Sequence, residues 1–176
     1  MTITQRDFPA YVPPPAYPDD APLSGLCTAE LVLVASLRLF ALAHCDPEGG
    51  HDWRGGLLAS GAGCCAVPAF DALFGIVGAA GRRPLDVRCR HCPHLSRDEG
   101  RLLQIVSLLQ HGRMFDARDV LADWLPPAVV RLAILPAKGL ASALARARLL
   151  VPLRESPRTS THHACRQTHH GSALVH

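Results

Sequence analysis

The chain has 176 residues, of which 48% are hydrophobic and 19% charged, and carries a net charge of +3. That length supports one domain with a real buried core, while so mild a charge does not mark a dedicated nucleic-acid binder, which usually shows a strongly basic stripe. Aromatic residues make up only 5%, so the core is expected to be built mostly from Leu, Val and Ala.

The excess of Ala, Leu and Arg favours helix. Lys138 is the single lysine among 18 Lys and Arg residues, a bias that reads as coding preference as much as selection for bidentate anion contacts. Residues 1–23 are Pro-rich, with Pro13, Pro14 and Pro15 in a row, which favours extended backbone and forbids helix. They lack a basic stretch followed by an apolar one, so no secretory signal is expected. The longest apolar run, Leu31 to Ala43, is interrupted by Ser36 and Arg38 and reads as too short to span a bilayer. A cytoplasmic location without membrane contact is the expectation.

Between that tail and a polar one over 154–176, the pattern predicts a single compact all-α domain over residues 24–153, with five to seven helices and a short irregular knuckle. The first helix covers about Thr28 to His44, with Leu33, Leu37, Phe40, Ala41 and His44 at three- and four-residue steps, and is expected to be central. His51 to Ser60 is a weak helix, because Gly55 and Gly56 disfavour it. Gly61–Cys65 reads as a loop, and Pro68 as a first-turn residue of the next helix. Val67, Phe70, Leu73, Phe74 and Val77 form that helix's buried face, which closes at Gly78 or Gly81.

Leu85 to Arg90 alternates apolar and polar residues, as a short extended arm does. A knuckle, Cys89-Arg90-His91-Cys92, follows. Ser96-Arg97-Asp98-Glu99 then writes a capping box, with the acids suited to the positive helix start and Gly112 closing the helix as a C′ residue. A short helix over Met114–Trp124 turns Phe115, Val120, Leu121 and Trp124 inward. Pro126-Pro127 breaks it, and Pro136 is expected to split the remainder into Ala128–Leu135 and Ala137–Leu150.

Cys89 and Cys92 are the sharpest chemical signal, since two intervening residues let both thiolates converge on one tetrahedral metal, half of many structural zinc sites. The other half is not written in any standard spacing. Its candidates are Cys64 or Cys65, Cys45 with His44 or His51, and His94. Zinc is therefore the expected cofactor if there is one, with iron–sulfur and thiol redox chemistry as alternatives. The plainer reading makes Cys89 a buried small hydrophobe and Cys92 a surface thiol. The C-terminal tract with His162, His163, Cys165, His169, His170 and His176 is a second metal-capable segment, but ordering a flexible tail around an ion costs entropy.

Arg82, Arg83, Arg88, Arg90, Arg97 and Arg101 cluster around the knuckle, offset by Asp86, Asp98 and Glu99. Phosphate contact beside a capped helix start is one use for them; a solvated face with internal ion pairs is the favoured one. Ser96 reads as a cap rather than a nucleophile, and no HExxH, GxSxG or phosphate-binding glycine motif occurs. The functional expectation is a small accessory or regulatory protein that contacts another protein, its knuckle a hinge between two helical halves, pinned by zinc or by packing. The alternatives are a nucleic-acid-binding regulator using the Arg82–Arg101 surface, and a thiol or metal-handling protein.

Overall fold

The computed structural model describes residues 15–154; the expectations for residues 1–14 and for the His-rich tract lie outside the described residues. Six α-helices follow one another: α1 Thr28–Cys45, α2 Trp53–Ala59, α3 Gly63–Ala80, α4 Arg97–Gln110, α5 Met114–Leu121 and α6 Pro127–Arg146. Among the described residues there is no strand, only one antiparallel bridge between Pro22 and His94. The all-α fold expected from the sequence is the fold observed.

The helix at the centre is α4 rather than α1. Every residue from Asp98 to Leu108 is buried, enclosed by α1, α5 and α6. Leu102 to Leu109 is apolar except for Gln104 and Ser107, a content that suits burial all round. Its Ser96 cap forms as read: the Glu99 amide donates to Ser96 Oγ at 3.1 Å and the Ser96 amide to Glu99 Oε2 at 2.9 Å. Gly112 ends the helix region at φ +75°, a left-handed conformation that glycine adopts without penalty.

Five of the described aromatic residues, Phe40, Trp53, Phe70, Phe74 and Trp124, are gathered into one cluster. Phe40 of α1 meets Trp53 of α2 and Phe70 of α3 at centroid distances of 5.2 and 5.6 Å. Phe70 and Phe74 lie 4.6 Å apart, and Phe74 reaches Trp124 at 6.4 Å. Such pairs add about 0.5–1.5 kcal/mol beyond their burial, so four elements are joined at one point of an otherwise aliphatic core. The Asp52 carboxylate, accepting from the Arg54 and Gly55 amides, starts α2 despite its two glycines.

Several expectations are corrected. Gly61–Cys65 is not all loop: α3 begins at Gly63, so Cys64 and Cys65 lie in its first turn and Pro68 inside it. Pro136 does not split the last helix, and α6 runs unbroken for 20 residues. The carbonyl deprived of its donor belongs to Leu132, a residue 64% exposed, where water can take the donor's place. Phe115 is not inward but 74% exposed, because α5 ends at Leu121 and presents Ala117, Val120 and Leu121 to the core.

The packed core also takes in Ala16 and Tyr17, which the composition assigned to the N-terminal tail. Tyr17 donates to Glu30 Oε1 at 2.7 Å and lies against Gly100, where a Cβ would come within 3.2 Å of the tyrosine's own. Beyond α6 the chain folds back on α4. Gln110 donates to Leu149 O and accepts from the Val151 amide, and Ser107 donates to Pro152 O.

The length argument against a membrane span also needs correcting. The helices Thr28–Cys45 and Pro127–Arg146 are long and apolar enough to cross a bilayer, each with a mean hydropathy of 1.5. Length and composition alone are weak evidence, since the core helix of a soluble domain meets the same criterion. In α1 two charged residues, Glu30 and Arg38, are buried in ion pairs with other parts of the chain.

Candidate functional site

Between α3 and α4 the chain bends at residues 82 and 83, runs on to 88 as an arm without helix or strand, turns at the two cysteines, and enters α4. The alternating residues 85–90 form no strand, and the hydrogen-bonding partner of this segment is the start of α4. The Asp86 amide donates to Asp98 Oδ2 at 2.6 Å and the Arg88 amide to Glu99 Oε1 at 3.1 Å. Ser96 Oγ returns a bond to Asp86 O. Two carboxylates thus do for the arm what a neighbouring strand's carbonyls would do.

Both carboxylates are fully buried and paired. Asp98 receives both terminal nitrogens of Arg83, at 2.6 and 2.8 Å, and Trp124 Nε1 at 3.0 Å. Burial pushes the Asp98 carboxyl up, but the bonds from Arg83, the Asp86 amide and Trp124 outweigh it, and the group titrates below the usual aspartate range. Glu99 receives Arg38 of α1 in a fork, Nε at 2.7 Å and Nη2 at 2.8 Å. The same guanidinium donates to Cys92 O at 2.6 Å and His94 O at 2.7 Å. For Arg38, burial lowers the pKa while Glu99's bond and charge raise it further, with contributions from Cys92 and Cys89, so it stays firmly charged.

The knuckle is therefore pinned by a buried arginine. Cys89 and Cys92 bracket a tight turn in which the Cys92 amide donates to Cys89 O at 3.0 Å. Cys89 is exposed and Cys92 half-buried, the reverse of the plain reading in which Cys89 was the buried one. His94 follows the turn and is exposed, Cys45 is exposed at the end of α1, and Cys65 is exposed in the first turn of α3 beside Cys64. The candidate ligands do not converge: among the described residues no three His, Cys, Asp or Glu side chains form a metal-holding group. A closed structural zinc site needs four ligands, and the turn contributes two.

The arginine cluster is largely engaged within the domain. Arg83, Arg97 and Arg101 all approach Asp123, at 3.5, 3.1 and 3.7 Å, and Arg88 pairs with Asp20 at 2.7 Å. Arg90 Nε donates to His91 Nε2. Of the six, Arg82 alone has a side chain with no hydrogen bond or ion pair among the described residues, and its amide is held by Trp124 O at 2.8 Å. The internal pairing expected from the sequence is present, but the face is not simply solvated: Asp98, Glu99 and Arg101 are buried.

The arm also walls one side of an open groove of about 960 Å3. Leu37, Phe40 and Ala41 of α1 form one flank, Phe74, Val77 and the glycines of α3 another, and Leu85 and Val87 the third. Its lining includes His44, Arg82 and Arg83 but no carboxylate. Gly75 and Gly78 lie in the interior of α3, where glycine costs about 1 kcal/mol relative to alanine. A Cβ at either would meet nothing within 4 Å, so packing within the domain does not demand them. Sequence reasoning singled out the arm and the knuckle but not this groove, whose flanks come from segments far apart in the chain. Comparisons of the chain with protein-family models, curated proteins and solved structures find no match.

Proposed function

We propose that the protein is a small cytoplasmic accessory protein that holds an apolar, acid-bearing segment of a partner protein in the groove between α1, α3 and the 82–88 arm. The observation that carries this reading is the open apolar trench floored by two helix-interior glycines that the domain's own packing does not require. Leu37, Phe40, Phe74 and Val77 of its lining are buried, so it offers a partner a concavity rather than a broad exposed patch, and apolar clefts with a few polar groups commonly bind ligands. Charge supplies the second half of the partner's description. The lining carries arginines without a carboxylate, and Arg82 is free to meet an acid where Arg83 is already held by Asp98.

Selection of displayed peptides against the folded chain tests it. The expected winners are apolar sequences bearing Asp or Glu, whose affinity falls about tenfold or more, or 1.4 kcal/mol and upward, in Gly78→Leu and Arg82→Glu. Peptides that bind both variants as well as the parent, or a selection that returns only basic sequences, would refute it. Affinity for nucleic acid that falls steeply with added salt would favour the arginine surface in its place.

A further inference from the structure

We propose that Cys89 and Cys92 form a dithiol–disulfide exchange centre that accepts an external disulfide as its oxidising substrate. This rests on the turn itself and is independent of the groove reading. The hydrogen bond from the Cys92 amide to Cys89 O, at 3.0 Å, closes a β-turn with residues 90 and 91 at its corner. The end Cα atoms of such a turn lie within about 7 Å, and a disulfide spans about 4.4–6.8 Å between Cα atoms. The two cysteines are thus held within bridging range by the backbone alone.

The flanks of the turn are fastened to the core. Arg38, locked on buried Glu99, holds Cys92 O and His94 O. On the other side the Arg88 amide is held by Glu99 and the Asp86 amide by Asp98. One carboxylate, Glu99, therefore anchors both ends of the turn, directly through the Arg88 amide and through Arg38 at Cys92. Preorganisation of this kind lowers the entropy lost when the ring closes. The thiols are reachable too: Cys89 is exposed, Cys92 half-buried, and neither is bonded to another cysteine.

Exposure assigns the order of events. The Cys89 thiolate attacks one sulfur of the external disulfide, its S–S bond breaks, and one thiol leaves, which gives a mixed disulfide on Cys89. The Cys92 thiolate then attacks Cys89 Sγ and expels the second thiol as the Cys89–Cys92 bond forms. Two electrons pass from the cysteine pair to the external disulfide, and the two cysteine protons end on the two released thiols. In a reducing compartment the pair rests as the dithiol, and disulfides there are typically transient and redox-active.

Trypsin cuts after Arg88, Arg90 and Arg97, and so separates the two cysteines unless a disulfide links them. The full-length protein is equilibrated across graded ratios of reduced to oxidised glutathione, quenched, alkylated and digested without reduction. The expected product is Cys89-Arg90 joined to the 91–97 peptide, with an equilibrium constant about tenfold or more above that of the same chain in denaturant. Cys92→Ser is expected to accumulate glutathione on Cys89, and Cys89→Ser to react more slowly at Cys92. Alkylation of both thiols across the whole series, linkage to a different cysteine or a second chain, or no gain over the denatured chain would each overturn the proposal. The central readout needs no variant, so misfolding of a serine variant leaves the test intact.

Discussion

Arg38 and Glu99 meet as a buried fork, Nε to Oε1 at 2.7 Å and Nη2 to Oε2 at 2.8 Å, from positions 61 residues apart. Their side chains are 2% and 0% exposed. The pair joins α1 to the first turn of α4, and each partner also holds backbone of the cysteine turn. Removing one partner strands a charge in the core, a change that typically costs about 3–5 kcal/mol. Arg38→Met and Glu99→Gln are each expected to lower unfolding free energy by about that amount in chemical denaturation. Combining Arg38→Met with Glu99→Met should recover part of the loss, because no charge is then stranded. Recovery should be incomplete, since the Ser96 and Arg88 amides and the Cys92 and His94 carbonyls lose their partners. A double variant no better than the worse single one would show that the pair matters through these backbone contacts alone.

Asp98 makes stability depend on pH in one direction. Its carboxyl titrates below the usual range in the folded chain, so folding favours the ionised form. That contribution is fully present above the ordinary aspartate value of about 3.9 and is lost as pH falls through the lower folded value. Asp98→Asn is expected to cost roughly 2–4 kcal/mol at neutral pH, with the gap to the parent closing in acid. Trp124, which donates to Asp98, supplies a fluorescence signal local to the change. A gap that stays constant from neutral pH to pH 3 would contradict this.

The N-terminal strap closes on Glu30. Tyr17 and Arg154 both bond that carboxylate, and burial followed by the Glu30 bond drives the Tyr17 hydroxyl far above its usual pKa. Tyr17→Phe keeps the ring against Gly100 and removes only the hydroxyl. A hydrogen bond to a charged group contributes about 1.5–3 kcal/mol, and a loss in that range is expected, read as a shift in the urea midpoint at unchanged slope.

Gly75→Ala and Gly78→Ala should raise stability. Each replaces a helix-interior glycine where a Cβ meets nothing, so a gain of about 0.5–1 kcal/mol per site is expected in thermal or denaturant unfolding. A loss at either site would mean that the groove is narrower than its walls indicate.

Most of the helix plan was legible in the chain, because apolar spacing and caps are local signals. Ser96 with Glu99, Gly112 and Pro126-Pro127 each act within a few residues, and each appears where its chemistry places it. Pro136 misled because loss of one amide donor is tolerated where water reaches the freed carbonyl. Asp98 and Glu99 misled more deeply. As adjacent acids at a helix start they read as solvated dipole partners, yet both are fully buried. The signal against that reading was present in the nearly continuous apolar run after them, which suits a helix enclosed on all sides.

By itself the sequence determined the helical class, the capped start of α4 and the presence of two cysteines with two residues between them. Tertiary structure decided what those parts are for one another. Arg38, Asp98, Glu99 and Glu30 carry charges whose partners lie far along the chain, at Cys92 and His94, Arg83, the arm and Arg154. No local pattern encodes such pairings, because burying a charge is favourable only once the opposite charge and the backbone donors arrive together. The groove follows the same logic, its flanks contributed by α1, α3 and the arm. The knuckle is written in four consecutive residues, but what holds it in place is an arginine that the sequence puts some fifty residues earlier.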